Sequence, residues 1–214
     1  MTARFPGGRA LVGSHVRLDP TVDDDADGIF TALDSAEVWA AGYSGGPAAR
    51  PADPDGWRDR ILQARDDDRV MFTVRLLDDG RIVGTSSLGD VDLTHERVHL
   101  GWTAYAPDVW ATAVNPECKL LLMSHAFEDC GFGRVKIQTD LINSRSQAAI
   151  AKLGAVREGV LRRHMRRADG TWRDTVVFAV TIDDWPQVRS GLEQRVAGLG
   201  DLRVGDARGS VPAS

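Results

Sequence analysis

The sequence predicts a single α+β domain built on one central twisted mixed β-sheet flanked by helices, and three observations carry that prediction. Val70 to Leu77 and Arg81 to Leu88 flank Asp78-Asp79-Gly80, where Asp-Gly supplies the positive φ that a tight hairpin turn needs. Asn115-Pro116-Glu117 reads as a strong helix start, with Asn as N-cap, Pro in the first turn and an acidic residue behind it. The element order is strand, two helices, three antiparallel strands, helix, strand, helix and two strands, which is an α+β order.

Taken along the chain, Ala10 to Leu18 alternates and ends at Asp19-Pro20, giving a first strand. Thr21 is placed to cap a helix whose apolar face is Ile29, Phe30 and Leu33, after an acidic first turn. The stretch from Ala40 to Asp55 has the Gly, Ala and Pro content of a loop, and Asp55 to Ala64 carries Trp57, Ile61 and Leu62 on a second helix. Val98 to Tyr105 is a third sheet strand stopped by Ala106-Pro107. The helix opened at Asn115 bears Leu120, Leu121, Met123, His125, Ala126 and Phe127 and stops near Gly131. Arg134 to Thr139 is a strand, Asn143 to Leu153 a short helix ended by Gly154, and Ala155 to Arg162 and Thr171 to Ile182 flank a tip at Asp169-Gly170. Trp185 to Leu199 closes the domain, taken as residues 1–199, and 200–214 has the composition of a mobile tail.

Composition bounds the function classes. With 43% hydrophobic and 27% charged residues, the 214-residue chain is a globular protein with one well-buried core. Its apolar runs fall far short of the roughly 20 residues that span a bilayer, and Met1 to Arg9 lacks a secretory segment, so a cytoplasmic protein with no membrane partner is expected. A net charge of −5, with acidic clusters at Asp23 to Asp27 and Asp66 to Asp68, makes nucleic acid an unfavourable partner. Cys118 and Cys130 are twelve residues apart on one expected helix. By helical rise that is roughly 18 Å, too far for a disulfide. No metal-ligand spacing occurs, and no metal is expected.

Over Val98 to Lys152 the residues become specific. The Gly101-Trp102 strand, the Ala106-Pro107 stop, Trp110, the helix of Leu120 to Phe127, and the run from Asn143-Ser-Arg-Ser146 to Leu153-Gly154-Ala155 resemble the GCN5-related N-acetyltransferase (GNAT) superfamily. The branch they are most similar to is the RimJ/RimL type, which acetylates ribosomal-protein N-termini. The pattern extends from Val16-Arg17-Leu18 to Trp185. The resemblance implies an acetyl-CoA-dependent N-acetyltransferase in which an amine attacks the thioester directly. The acceptor it implies is a protein amine, either an N-terminal α-amine or a lysine ε-amine, with a small-molecule amine as alternative. It further implies that the pantetheine arm lies along Leu100 to Ala104, so that Trp102, Thr103 and Ala104 contact the acyl donor. The pyrophosphate would meet backbone N–H groups at the following helix N-terminus, over Ala111, Thr112, Ala113, Val114 and Asn115.

Here the chain departs from the family pattern. The usual signature of Arg or Gln, two residues, Gly, one residue, then Gly or Ala aligns with Trp110 to Asn115, and none of its three positions is matched. Alanine keeps its N–H but enters left-handed conformations at a cost of roughly 1 kcal/mol that glycine avoids. A degenerate acyl-CoA-binding module without catalysis is therefore the reading from a different class. Thr112 and Asn115 fit either phosphate contacts or simple helix capping.

By resemblance, Asn143 contacts the pantetheine arm and Ser146 donates a proton to the departing sulfur; the plain alternative is an N-cap and a first-turn residue. His99 occupies a position where many relatives carry glutamate and is the first candidate for the base, against a packing role. Glu158 is the second, unless it pairs with Arg162 or Arg173. His125, on an apolar helix face, reads as a satisfied core histidine. Trp39, Tyr43 and Trp172 either shape an acceptor pocket or anchor loops, and the run Arg162 to Arg167 suits a solvated hairpin, a cofactor phosphate or an acidic substrate. Either a monomer or a homodimer is compatible with the sequence.

Overall fold

The computed structural model describes residues 3–40 and 42–200, so that the tail expected at 200–214 lies, from 201 onward, outside the described residues. The elements are β1 (Leu11–Val12), β2 (Val16–Pro20), α1 (Ala26–Leu33), α2 (Ala36–Ala40), α3 (Asp55–Asp66), β3 (Val70–Leu76), β4 (Ile82–Asp92) and β5 (Arg97–Tyr105). There follow α4 (Val114–Ser124), β6 (Arg134–Asp140), α5 (Ser144–Ala151), β7 (Val156–Arg166), β8 (Trp172–Thr181) and α6 (Trp185–Gly200). One eight-stranded sheet runs in the order β1-β2-β3-β4-β5-β6-β8-β7. Among the described residues its only parallel neighbours are β5 and β6.

Alternation along β3 sets the layers, because successive side chains of a strand point to opposite faces. Phe72 and Val74 join one core with Leu18, Leu100, Leu122 and Phe127, under α4 and α6. Met71 joins the other, with Ile29, Leu33, Trp39, Trp57, Ile61 and Ala104, under α1 and α3. The helices supply the matching stripes: Ala26, Ile29 and Leu33 on α1, Trp57, Ile61 and Ala64 on α3, and Val114, Cys118 and Leu122 on α4.

Several local expectations are corrected. The first strand is two, folded on each other with Leu11 opposite Leu18, and the second runs through Pro20. Thr21 does not cap α1; the Asp25 carboxylate accepts the Val22 N–H at 3.2 Å, and the buried Asp25 also accepts from Thr73 Oγ1 at 2.8 Å. The loop after residue 40 is preceded by a short helix, α2, that composition does not reveal. Asn115 is not the cap of α4, which begins one residue earlier; instead Thr112 Oγ1 accepts the Val114 N–H at 3.3 Å and donates to the Val109 carbonyl at 2.7 Å. Cys118 and Cys130 are free and buried, and α4 continues into a π-helical turn over His125–Asp129.

Glu117, in sequence a first-turn acid, has a larger role in the fold. It is 3% exposed and receives the turn between β1 and β2: Oε1 accepts from Ser14 N at 2.7 Å, and Oε2 from His15 N at 2.8 Å and Val16 N at 2.9 Å. One carboxylate thus ties the first hairpin to the helix across the core. Replacing Glu117 by Ala strands these donors and is expected to lower stability by about 2–3 kcal/mol, with Glu117→Gln losing less, since hydrogen bonds to a charged group are the stronger kind. Urea unfolding midpoints measure this; an Ala variant within about 0.5 kcal/mol of the parent, the spread of ordinary surface substitutions, would show that water replaces the carboxylate.

Candidate functional site

The site is made by two irregularities of β5. Its register with β4 runs Ser87↔Gly101 and then Thr85↔Ala104, so Trp102 and Thr103 together face Ser86: a β-bulge. Trp102 takes φ +49°, in the left-handed region. The extra residue inverts the alternation, which is why Leu100 and Ala104, four apart, sit in opposite cores. The second irregularity is that β5 pairs with β6 only at Arg97↔Arg134, Val98↔Val135 and His99↔Lys136. Beyond His99 the strands part: β5 stays with β4 and β6 stays with β8 as far as Asp140↔Thr175. Among the described residues, the edge of β5 from Leu100 to Tyr105 is left without a strand partner on that side.

His99 stands where the strands part. It is 3% exposed, its Nδ1 lies 3.1 Å from Asp90 Oδ2, and its ring is 4.5 Å from that of Trp102. A carboxylate facing Nδ1 selects the tautomer with the proton there, leaving the lone pair on Nε2, which is buried without a partner among the described residues. Gly101 leaves room for this ring, since a Cβ there would fall 2.5 Å from Nε2. Burial holds the imidazole below its ordinary 6.5, although the Asp90 hydrogen bond pulls the other way. Asp90, which sequence reasoning misses, is itself depressed, chiefly by the His99 hydrogen bond and then by Lys136, whose Nζ is 2.8 Å from Oδ2. On the same face Arg69 stacks on Trp102 at 4.7 Å and donates from Nη1 to Ser87 Oγ at 3.1 Å.

The aromatic residues expected to shape an acceptor pocket or anchor loops are only partly brought together. Trp39 is buried, donates from Nε1 to the Leu33 carbonyl at 2.9 Å, and meets Tyr43 edge-on at 5.1 Å. Arg60 lies 5.4 Å from the rings of both Trp39 and Trp57. Gly45 approaches the hairpin between β7 and β8 closely: a Cβ on it would be 3.3 Å from the Ala168 amide. Trp172 does not join Trp39 and Tyr43; it is exposed on that hairpin with Arg163 and Arg166 at 4.5 and 4.6 Å. Glu158 is not available as a base either, because Arg134 forks its exposed carboxylate, one bond at 2.6 Å. His125 is satisfied as expected, with Asp129 at 2.8 Å and Cys130 Sγ at 3.6 Å.

The two N-terminal segments expected to hold the acyl donor are brought together. Arg145, in the first turn of α5, lies 3.5 Å from the Trp110 ring centroid, joining that turn to the segment before α4. Ala111 adopts φ +62°, the conformation a glycine would supply at lower cost. Asn143 caps α5, its Oδ1 accepting the Ser146 N–H at 2.9 Å, and its amide faces Gly42. Ser146 is half-buried beside this cap. Lys119, also missed, is buried under the bulge, 2.7 Å from Thr103 Oγ1.

Residues 15–156 match the family model described as an acetyltransferase (GNAT) domain. The chain is 27% identical over 111 residues to the uncharacterized N-acetyltransferase YoaA of Bacillus subtilis, an alignment that covers 52% of this chain and 62% of that protein. Among solved structures, an acetyltransferase from T. thermophilus superimposes with a TM-score of 0.77 at 34% identity, covering 87% of this chain and 96% of the other. Mycobacterium smegmatis RimJ, in complex with CoA-disulfide, shares the fold with a TM-score of 0.75 at 20% identity, over 91% and 97% of the two chains.

Strain at Ala111 is directly testable. Ala111→Gly is expected to raise stability by up to about 1 kcal/mol, because relief of the left-handed conformation outweighs the added freedom of the unfolded chain. Chemical denaturation reads this, and an unchanged or lower stability would mean that the alanine is not strained.

Proposed function

Because this chain belongs to the acetyltransferase (GNAT) domain family, we propose that it transfers the acetyl group of acetyl-CoA to an amine by direct attack. The observation that carries this reading is the bulged, unpartnered edge of β5 from Leu100 to Tyr105. An extended amide-bearing arm can add to such an edge as a further strand would. Backbone donors at Trp102 and Thr103 would then polarise the thioester carbonyl. The amine nitrogen bonds to the carbonyl carbon, the C–S bond breaks with its electron pair on sulfur, and the amine gives up a proton.

In this reading His99 takes that proton on Nε2, held in the right tautomer by Asp90. Ser146 passes its hydroxyl proton to the sulfur while taking one from water, and Asn143 meets the pantetheine arm. Ala111 to Asn115 face the pyrophosphate; Ala113, at the first signature glycine position, keeps right-handed helical angles, and the positive φ falls at Ala111 instead. A protein α-amine or ε-amine is the proposed acceptor, in line with the RimJ likeness. A small-molecule amine is the alternative: Gly45 approaches Arg167 and Ala168 closely, so the loop carrying Tyr43 meets the β7–β8 hairpin, an arrangement that would narrow access for a folded protein partner.

Calorimetric titration with acetyl-CoA tests the donor, and the absence of binding would leave a non-catalytic module. Release of CoA from acetyl-CoA in the presence of a peptide with a free N-terminal alanine, an Nα-blocked lysine peptide or a free polyamine separates the acceptors. With the preferred amine, His99→Ala is expected to lower kcat by about 10²–10⁴-fold, the usual contribution of a general base. The parent's acid limb should fall below pH 6.5, since burial lowers the His99 pKa and the base is lost only as pH drops through that lowered value. A pH–rate profile that survives His99→Ala unchanged removes His99 as base, and Ser146→Ala with unaltered kcat at saturating acetyl-CoA removes Ser146 as acid.

A further inference from the structure

Lys119 is the buried cation that this mechanism leaves unused. It projects from α4 toward the sheet, is 5% exposed, and its Nζ donates to Thr103 Oγ1 at 2.7 Å and Ser86 Oγ at 3.5 Å. Those two hydroxyls also bond to each other at 2.7 Å. Thr103 is half of the β5 bulge, and Ser86 is the residue of β4 that faces it.

No carboxylate among the described residues pairs with this ammonium. On α4, Glu117 has both oxygens on the amides of Ser14, His15 and Val16, and burial pushes the Cys118 thiol up to about 12, so it stays neutral. On β5, burial raises the Tyr105 phenol well above 10, and burial, with a smaller contribution from the charge of Lys136, lowers His99. Burial lowers Lys119 to about 8, which leaves it charged at neutral pH. The two hydroxyls satisfy hydrogen bonds but not the charge, and a buried charge without a counter-ion is destabilising. A tie between helix and strand does not need it, since Ser86 and Thr103 already satisfy one another. A positive charge kept at such a cost is suited to an anion that exists only during the reaction.

We propose that Lys119 is a positioning residue of the acyl-transfer site: Thr103 holds its ammonium at the bulge, and its charge stabilises the thiolate that leaves as the C–S bond breaks. This rests on the acetyl-CoA reading above. The sulfur departs with the electron pair of that bond, so negative charge appears next to the bulge as the C–N bond forms and the amine proton passes to His99.

The test needs no acceptor. CoA and acetyl-CoA are titrated calorimetrically into the full-length parent, Lys119→Met and Lys119→Gln, and the thiol pKa of bound CoA is read from thiolate ultraviolet absorbance against pH. In the parent complex that pKa is expected to be about one unit lower than in either variant, tenfold in the thiolate-to-thiol ratio. Acetyl-CoA, which is uncharged at sulfur, should bind all three proteins within about threefold, under 1 kcal/mol by the usual conversion. Lys119→Met should be at least as stable as the parent at pH 7. That advantage should shrink as pH rises from about 8 toward 10.5, because the folded parent sheds the Lys119 proton before the unfolded chain does. Equal thiol pKa values in parent and variants overturn the proposal. So does rescue by Gln alone, which keeps a hydrogen bond to Thr103 without the charge. Should the Met variant fail to fold, the Gln variant decides by the same titration. If the parent binds no CoA, the acetyl-CoA reading falls first and takes this inference with it.

Discussion

The parting of β5 from β6 is the constraint on which the rest of the molecule depends. Three parallel pairs hold the two halves of the sheet together, and beyond them each strand keeps its other neighbour. Backbone polar groups left on a half-open edge need partners, so an opening of this kind is stable only where water or a ligand can reach it. The bulge at Trp102 and Thr103 contributes by increasing the local twist of β5 at the point where β6 turns away. Asp90 pins the vertex from the side, since one of its oxygens meets both His99 of β5 and Lys136 of β6. The three strands are therefore joined by backbone pairs on one side of the opening and by a carboxylate at its mouth.

Around that vertex the charges are separated by the sheet. His99 and Gly101 share the face of Arg69 and Trp102, while Thr103, after the bulge, points to the face of α4 and Lys119. A neutral imidazole on one side and an ammonium on the other place a proton acceptor and a positive potential about a single stretch of backbone. Both groups are buried, and each is shifted in the direction that burial imposes. Burial is the main reason the His99 pKa is lowered, with the charge of Lys136 and, least, that of Lys119 acting in the same direction. Trp102 of the bulge and Ala111 ahead of α4 are among the non-glycine residues with positive φ. Strain and unpaired charge of this kind oppose stability, and they occur where a protein's local preferences yield to its function.

Much of the fold is legible in the sequence because it is written in local patterns. The β3–β4 turn is present with Gly80 at φ +73°, Gly154 ends the α5 region at φ +88°, and, apart from the divided first strand and the unexpected α2, the strands and helices fall within a few residues of their expected bounds. The misses share a physical origin. Thr112 outcompetes Asn115 for the first-turn amide because α4 starts at Val114, a boundary set by the packing of Val114 and Cys118 rather than by cap preference. Glu117, Asp90 and Lys119 owe their importance to partners 101 to 103, 9 and 16 residues away, and no periodicity encodes such a distance. The bulge has no signature either: Gly101-Trp102 reads as ordinary strand, and only the appearance of Leu100 and Ala104 in opposite cores reveals the inserted residue.

The glycine-poor loop ahead of α4 turns on which amides remain to meet an anion. Conformation is not the obstacle, since Ala113, where the signature has its first glycine, sits at right-handed helical angles, and the positive φ falls at Ala111. Donor supply is narrower, because Thr112 Oγ1 engages the Val114 N–H and Pro116 has none to give. On the proposed reading, the amides of Ala113 and Asn115 carry more of the pyrophosphate contact than in a loop with glycines, and a nearby cation gains weight. Arg145 is placed for that task, its guanidinium lying over Trp110 at the start of the same loop. A flat guanidinium stacked on an indole is held in orientation while its N–H edge stays open. On that reading the departure from the family pattern would shift phosphate contacts from backbone toward side chain, with the positive φ of this loop falling at Ala111.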